Sequence, residues 1–391
     1  MTGGAARLVR GPEEKRATFL DLFFDLVFVF ALFRLSHGLR EQLDWSGAFQ
    51  TLVLLLAVWW VWDQSAAAGD RFDPRRPAMQ VLAIGCMFGS FVLAAAVPEA
   101  FGAHGLVFAG AYVAVQVGRS LFLVIVTRGD KRQRPETRAL FWFGVSAVPW
   151  LAGAAVQGWP RGALWALAVV VEYTVAILGW PTPRLGRVSA AEFSISGEFL
   201  AERHRQFVII ALGELILVAG LGLSSNGFEA DRSAAAVVAF ATTVLLWRIY
   251  IHRAGEVLGE AVATARDPLR VALPARFAHP VMVGGIVAIS VSDELVIEHP
   301  LGNTPPAWAA VILGGPALFL AGRAIFEYSV FGRVSRGCVA GILVLPATSP
   351  ATVVLPPLLV AATAALVLAG IAVSDAARAR GRPPEPPAPP G

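Results

Sequence analysis

Two aspartates four residues apart, Asp21 and Asp25, sit in the apolar run TFLDLFFDLVFVFAL, and two glutamates at the same spacing, Glu198 and Glu202, stand in GEFLAERHRQ. On a helix, residues four apart share a face. Two carboxylates that close cannot both stay ionised without a cation, a proton or an arginine between them. The Asp21/Asp25 pair therefore suggests a cation or proton site, a salt-bridge cluster with Arg203 or Arg248 as the counter-charge, or interfacial acids meeting water. Both pairs together could hold Mg²⁺ against a diphosphate, since that ion favours carboxylates plus phosphate oxygens.

Further along, Tyr112, Gln116, Arg119 and Ser120 recur at i, i+4, i+7 and i+8, a polar stripe on an otherwise apolar stretch. Glu172 lies two apolar stretches later, so the stripe reads as one side of a buried Arg119–Glu172 ion pair or else as the lining of a polar pathway. Ionisable groups at bilayer depth cost at least about 2.5–3.5 kcal/mol and must face a partner, water or the bundle interior. By depth they fall into three layers. Asp21, Asp25, Asp63, Glu202, Arg203 and Arg248 lie toward one side; Arg119, Glu172 and Glu214 lie in the middle; His37, Glu99, Asp293, Glu294 and His299 lie toward the other. His37 and His299 titrate near neutrality in principle, but as lone histidines at span ends they read as interfacial.

No HExxH or Cys/His cluster suggests tightly bound zinc, and no GxxxxGK[ST] loop suggests an ATP motor. Cys86 and Cys338 have no metal or CxxC spacing and read as packing residues.

The elements that carry these residues are set by hydropathy. The chain has 391 residues, is 56% hydrophobic and only 15% charged, against roughly 25% charged in soluble chains. The apolar stretches are long enough to cross a hydrocarbon core of about 30 Å. This excludes a secreted disulfide scaffold, a nucleic-acid binder and a cytosolic dinucleotide enzyme. The reading is an all-α integral membrane protein with about 12 spans, at 19–36, 48–64, 79–97, 104–127, 138–157, 162–180, 203–223, 233–252, 279–297, 306–326, 334–346 and 352–374. The eleventh is short, and Pro346 and Pro350 frame its turn, so the last two could form one re-entrant unit. Trp59, Trp60 and Trp62 at the end of the second span read as interfacial anchors.

Of the 32 basic residues, 25 fall in alternate segments on one side and four on the other. By the positive-inside rule both termini are cytoplasmic, in the cytoplasmic (inner) membrane of a bacterium. The organisation expected is an N-terminal arm (1–18), a six-helix repeat (19–180), a cytoplasmic linker (181–202), a second six-helix repeat (203–374) and a Pro-rich disordered tail (375–391). The repeat rests on matched positions: Asp21 with Glu202, Trp60 with Trp247, Asp73-Pro74 with Asp267-Pro268, and Glu99 with Glu294. Six spans per half would place the halves in the same orientation, related by an axis along the membrane normal.

At these residues the chain resembles the bacterial low temperature requirement protein A family. The likeness is carried by Thr18 to His37 (TFLDLFFDLVFVFALFRLSH), Trp59 to Trp62, Pro98 to Gly102 (PEAFG), Gln116 to Phe122 (QVGRSLF), Leu200 to Glu214 (LAERHRQFVIIALGE), Ser292 to Pro300 (SDELVIEHP) and Gly314 to Leu318. Two positions depart from the family pattern: Phe199 stands where a histidine is usual, and Leu215 where a hydroxyl commonly follows the Gly-Glu pair. The resemblance implies a multi-spanning membrane protein and leaves its activity open.

Two functions follow. The first is a transporter or channel for a small ion or solute that uses the intramembrane acids and needs no cofactor. The second is a membrane-embedded enzyme acting on an isoprenoid or lipid, with Mg²⁺ held by Asp21, Asp25, Glu198 and Glu202; the full aspartate-rich motifs of intramembrane prenyltransferases are missing. In either case the partners are the lipid bilayer and a small ion, solute or lipid-like substrate, with no nucleic acid and with homo-oligomerisation open.

Overall fold

The computed structural model describes residues 17–188, 196–251, 256–266 and 268–379. Most of the expected N-terminal arm, the middle of the linker, most of the Pro-rich tail and Asp267 lie outside them. The described residues are helical, with one isolated bridge between Thr182 and Gly186. A chain in hydrocarbon must satisfy each backbone N–H and C=O within its own segment, which selects helices for apolar runs of this length.

The helices are α1 (Phe19–Glu41), α2 (Trp45–Arg71), α3 (Pro77–Ala96), α4 (Gly105–Val126), α5 (Gln133–Ala155), α6 (Trp159–Ile177), α7 (Gly197–Asn226), α8 (Ala230–Tyr250), α9 (Glu256–Thr264), α10 (Pro268–Glu298), α11 (Pro306–Phe331), α12 (Arg336–Ala347) and α13 (Pro357–Ala379). Each expected span coincides with one of them, and the short α9 is additional. Among the described residues, ten helices are long and apolar enough to cross a membrane. The molecule is thus a polytopic helical membrane protein.

Helix ends follow local chemistry. Proline occupies the first turn of α3, α6 and α11, where its missing N–H costs nothing. Ser335 caps α12 by accepting from the Cys338 N–H. Gly332 closes α11 in the left-handed region at φ 65°. Hydropathy sets the start of α7 at 203, but the helix begins at Gly197. The preceding Glu, Leu, Ala and Glu are good helix formers that an apolarity criterion does not register. Glu198 and Glu202 consequently ride on a helix and not in a linker.

The chain divides into two compact units, Met1–Gly38 with Trp45–Phe199, and Leu39–Asp44 with Leu200–Gly391. In the first, α2 packs on α3, α4 and α6, and α3, α4, α5 and α6 pack in succession. Its core is aromatic. Trp59, Trp60 and Trp62 are fully buried, which corrects their reading as interfacial anchors. Trp60 meets Tyr173 at 4.6 Å between centroids, and Trp150 meets Trp165 at 5.5 Å. The run Trp59–Trp62 lies on a helix that is buried along most of its second half, so an apolar ring gains more from packing there than at a lipid headgroup.

In the second unit, α10 packs on α8, α11 and α13, α11 on α12 and α13, α12 on α13, and α13 on α8. The α10–α11 pair is drawn together by glycines. A Cβ on Gly285 would stand 2.5 Å from the Phe319 backbone nitrogen, and one on Gly322 would stand 2.7 Å from that of Met282. Lipid tails are as apolar as leucine, so close van der Waals approach of this kind is what holds membrane helices together.

Candidate functional site

In the first unit, the polar stripe of α4 forms a buried chain. The Tyr112 hydroxyl donates to Glu172 Oε2. Ser146 Oγ donates to Glu172 Oε1 at 2.6 Å and Trp150 Nε1 donates to the same oxygen at 3.2 Å. Gln116 Nε2 donates to the Tyr112 oxygen at 3.3 Å, and Arg119 Nη2 donates to Gln116 Oε1 at 2.6 Å. Arg119 Nη1 reaches Ser65 Oγ on α2 at 3.2 Å.

The expected Arg119–Glu172 ion pair is therefore replaced by a relay through Gln116 and Tyr112. Geometry gives the reason: Tyr112 and Arg119 are seven residues apart, about 10 Å along the helix, and Glu172 lies level with the tyrosine. Glu172 joins α4, α5 and α6 through three neutral donors. Such a saturated carboxylate is a structural hub, since unmade bonds to buried polar groups are costly.

Asp25, fully buried, accepts from Trp62 Nε1 at 2.8 Å. Asp21 accepts from both the backbone N–H and the hydroxyl of Thr18 at 2.8 Å, the geometry of a helix-start turn. Phe199 packs at Gly69 beside the Asp21 carboxylate. Asp63 is buried and accepts from Gln64 at 3.3 Å. Glu99 is exposed on the 3-10 turn after α3, and His37 is half-buried against Phe33. Arg161, unremarked in sequence, is buried and donates to the carbonyls of Gly153, Val156, Ala100 and Gly102, tying three loop ends together.

In the second unit, Glu202 and Arg203 meet through Gln206, which donates to Glu202 at 3.3 Å and accepts from Arg203 at 3.1 Å. Glu198 is exposed and Arg248 half-buried. Glu214 on α7 is fully buried and accepts from Ser290 Oγ on α10 at 2.7 Å. Asp293, one turn beyond Ser290 on the same face, is 7% exposed. Its Oδ2 is buried without a hydrogen-bond partner among the described residues. The neighbouring Glu294 pairs with Arg40 at 2.6 Å, and Glu298 joins the same guanidinium.

Sequence reasoning did not single out the imidazole pair His204 and His279, whose rings lie 4.4 Å apart edge to face. Each Nδ1 bonds the carbonyl four residues back, and His279 Nε2 meets the Tyr250 hydroxyl at 3.1 Å. Nor did it pair Arg323 with Glu327, 3.4 Å apart and both buried; their i, i+4 spacing was the available signal. Among the described residues, no group of three or more His, Cys, Asp or Glu side chains is arranged to hold a metal ion.

The family model for the bacterial low temperature requirement A protein (LtrA) matches residues 16–373. The chain belongs to the LtrA family. It is 37% identical over 313 residues to uncharacterized protein RA0937 of Rhizobium meliloti (strain 1021), which covers 79% of this chain and 76% of that protein. No solved structure matches it. Every residue of the Glu172 hub and of the Glu214–Asp293 pair falls within the stretch that the LtrA model matches.

Proposed function

We propose that this LtrA-family protein is a transporter or channel that moves a small cation across the cytoplasmic membrane of a bacterium, using the buried acids of its second unit. One observation carries the reading. Asp293 is buried on a helix face shared with Ser290, whose hydroxyl bonds the fully buried Glu214, and its Oδ2 has no hydrogen-bond partner among the described residues. A buried acid in that state calls for an occupant that comes and goes. The acids of the first unit have fixed donors: Glu172 is saturated by Tyr112, Ser146 and Trp150, and Asp25 is bonded by Trp62.

The reading includes twelve crossings with both termini cytoplasmic, supported by the placement of 25 basic residues on one side against four on the other. It includes two parallel six-helix repeats. In support, the pairings α2–α3, α3–α4, α4–α5, α5–α6 and α2–α6 of the first unit recur in the second as α8–α10, α10–α11, α11–α12, α12–α13 and α8–α13, whereas α2–α4 and α11–α13 have no counterpart. Trp60 is fully buried while its proposed counterpart Trp247 is 45% exposed, so the repeat is one of helix order more than of individual side chains.

The test is reconstitution of the full chain into liposomes carrying trapped pH-sensitive and alkali-ion-sensitive dyes. The wild type should dissipate an imposed cation gradient, and Glu214→Gln should not. Absence of movement of any cation in a folded, correctly inserted wild type would refute the transport reading.

A further inference from the structure

In the first unit, the start of α1 and the loop between α2 and α3 border an open groove of about 480 Å³. Thr18, Phe19 and Leu22 line it from one side, and Pro74, Arg75 and Gln80 from the other. We infer that the groove seats one anionic phospholipid, with its phosphate at Arg75 and an acyl chain along α1. This site is separate from the transport reading and does not depend on it.

Helix periodicity supplies the apolar wall. On α1, Asp21, Phe24, Asp25 and Phe28 are buried, whereas Phe19, Leu22, Phe23 and Leu26 are exposed, Phe19 to 92%. The exposed four stand at i, i+3, i+4 and i+7, which makes one stripe of the helix. The stripe runs about 10 Å along α1 away from the groove. Farther on, Phe30 of α1 stacks on Phe91 of α3 at 5.9 Å between centroids. From the groove, therefore, both helices run the same way. The helix at Pro77–Glu99 is long and apolar enough to cross a membrane, so the stripe follows it into hydrocarbon. A water-soluble ligand gains nothing from apolar surface that continues into lipid, whereas an acyl chain covers it along its length.

Charge selects the headgroup. Among the described residues that line the groove, Arg75 is the one that carries a charge. Its Nε donates to Asp73 Oδ1 at 3.0 Å and its Nη2 to Oδ2 at 3.3 Å. That fork fixes the plane of the guanidinium while its side chain stays 60% exposed. Asp73 also meets Arg76 at 3.5 Å, so one buried carboxylate is shared by two cations and the corner keeps one positive charge in excess. Asp21 is buried and accepts from Thr18. Neither acid lines the groove. A guanidinium binds phosphate oxygens by charge-assisted hydrogen bonds, and the exposed Gln80 amide offers a neutral donor beside it. A zwitterionic headgroup carries its own cation and gains less there.

The experiment is native mass spectrometry of the full chain released from nanodiscs that contain phosphatidylglycerol and phosphatidylcholine in equal amounts. The wild type should retain one phosphatidylglycerol in preference to phosphatidylcholine. An arginine beside an anionic lipid surface is worth about fivefold in binding, so Arg75→Gln should cut the preference by about that factor, and Arg75→Lys should keep most of it. Arg76 still holds Asp73 in both variants, and equal melting temperatures should show that the fold is kept. Phe19→Ala should release both lipids more readily without changing their ratio. Arg128→Gln removes the same charge from an exposed position after α4 and should behave as wild type. Equal loss of preference in Arg128→Gln and Arg75→Gln would mean that bulk charge attracts the lipid. Displacement of the lipid by inorganic phosphate would make the occupant a free anion, and a dimer that disappears in Phe19→Ala would make it a second copy of the chain. Any of these three results, or wild-type retention of phosphatidylglycerol by Arg75→Gln, overturns the assignment.

Discussion

The glycine seam between α10 and α11 gives the sharpest structural prediction. A Cβ at Gly285 would stand 2.5 Å from Phe319 N, 2.8 Å from Gly315 O and 2.9 Å from Phe319 Cα. All three are backbone atoms, so no side-chain rotation relieves the clash. Ordinary contact is about 3.5–4.0 Å, and the two helices must therefore part locally by about 1 Å. Overpacking of this kind costs about 1–3 kcal/mol, offset by up to about 1 kcal/mol of helix propensity gained by replacing glycine. Gly314→Ala on α11 is the control, because nothing lies within 4 Å of its Cβ, and it should be neutral or slightly stabilising.

The two variants should thus differ by about 1–3 kcal/mol, or several degrees in unfolding temperature, at about 2–4 °C per kcal/mol. The buried thiols report it unit by unit. Cys338 lies in the second unit, bonded to Leu320 O at 3.2 Å, and Cys86 lies in the first. Thiol labelling followed by mass spectrometry during heating should reveal Cys338 earlier in Gly285→Ala than in wild type, with Cys86 little changed. Since one separation of the helices relieves both glycine contacts, Gly285→Ala with Gly322→Ala should cost less than the sum of the two. Equal stability of Gly285→Ala and Gly314→Ala would refute the argument that close backbone approach holds this pair.

Glu172→Ala orphans the Tyr112 hydroxyl and the Trp150 N–H, while Ser146 can still donate to Phe143 O. At about 1–3 kcal/mol per unsatisfied buried group, it should lower the unfolding temperature far more than Glu172→Gln. Asp25→Asn retains an oxygen for Trp62 Nε1, so normal folding with lost transport would place Asp25 in the ion path, whereas lost folding would make it structural; expression, melting and flux measured together decide. Asp73, in the loop after α2, is held below the ordinary carboxylate range by hydrogen bonds from Arg75 and by the nearby Arg76. Its contribution is therefore present at neutral pH and lost as pH falls through that lowered value; with both arginines about half exposed it is under about 1 kcal/mol, and Asp73→Asn should flatten the acid limb of the melting curve by that amount. Reporter fusions after Arg134 should report the cytoplasm, and fusions after Gly102 and Asn303 the opposite side; a reversed signal would overturn the orientation.

Much of the architecture was legible because its cause is local. Whether a stretch of some twenty residues crosses lipid depends on its own side chains, so each expected span has its helix, and only ends such as that of α7 moved where polar helix formers extend an apolar core. The i, i+4 and i, i+7 spacings likewise placed Tyr112, Gln116 and Arg119 on one face, since helix geometry alone dictates it. Sequence could not decide what those faces meet. A carboxylate in a span signals an expense, but whether donors offset it depends on which other helices pack beside it: Ser146 and Trp150 come to Glu172 from α5, and Ser290 comes to Glu214 from α10. For the same reason Trp59, Trp60 and Trp62 read as membrane anchors until the tertiary structure enclosed them, and the predicted Arg119–Glu172 contact became a relay. The difference between a saturated acid such as Glu172 and Asp293, whose Oδ2 has no partner among the described residues, is a property of packing, because each hydrogen bond requires two groups that only the folded bundle brings together.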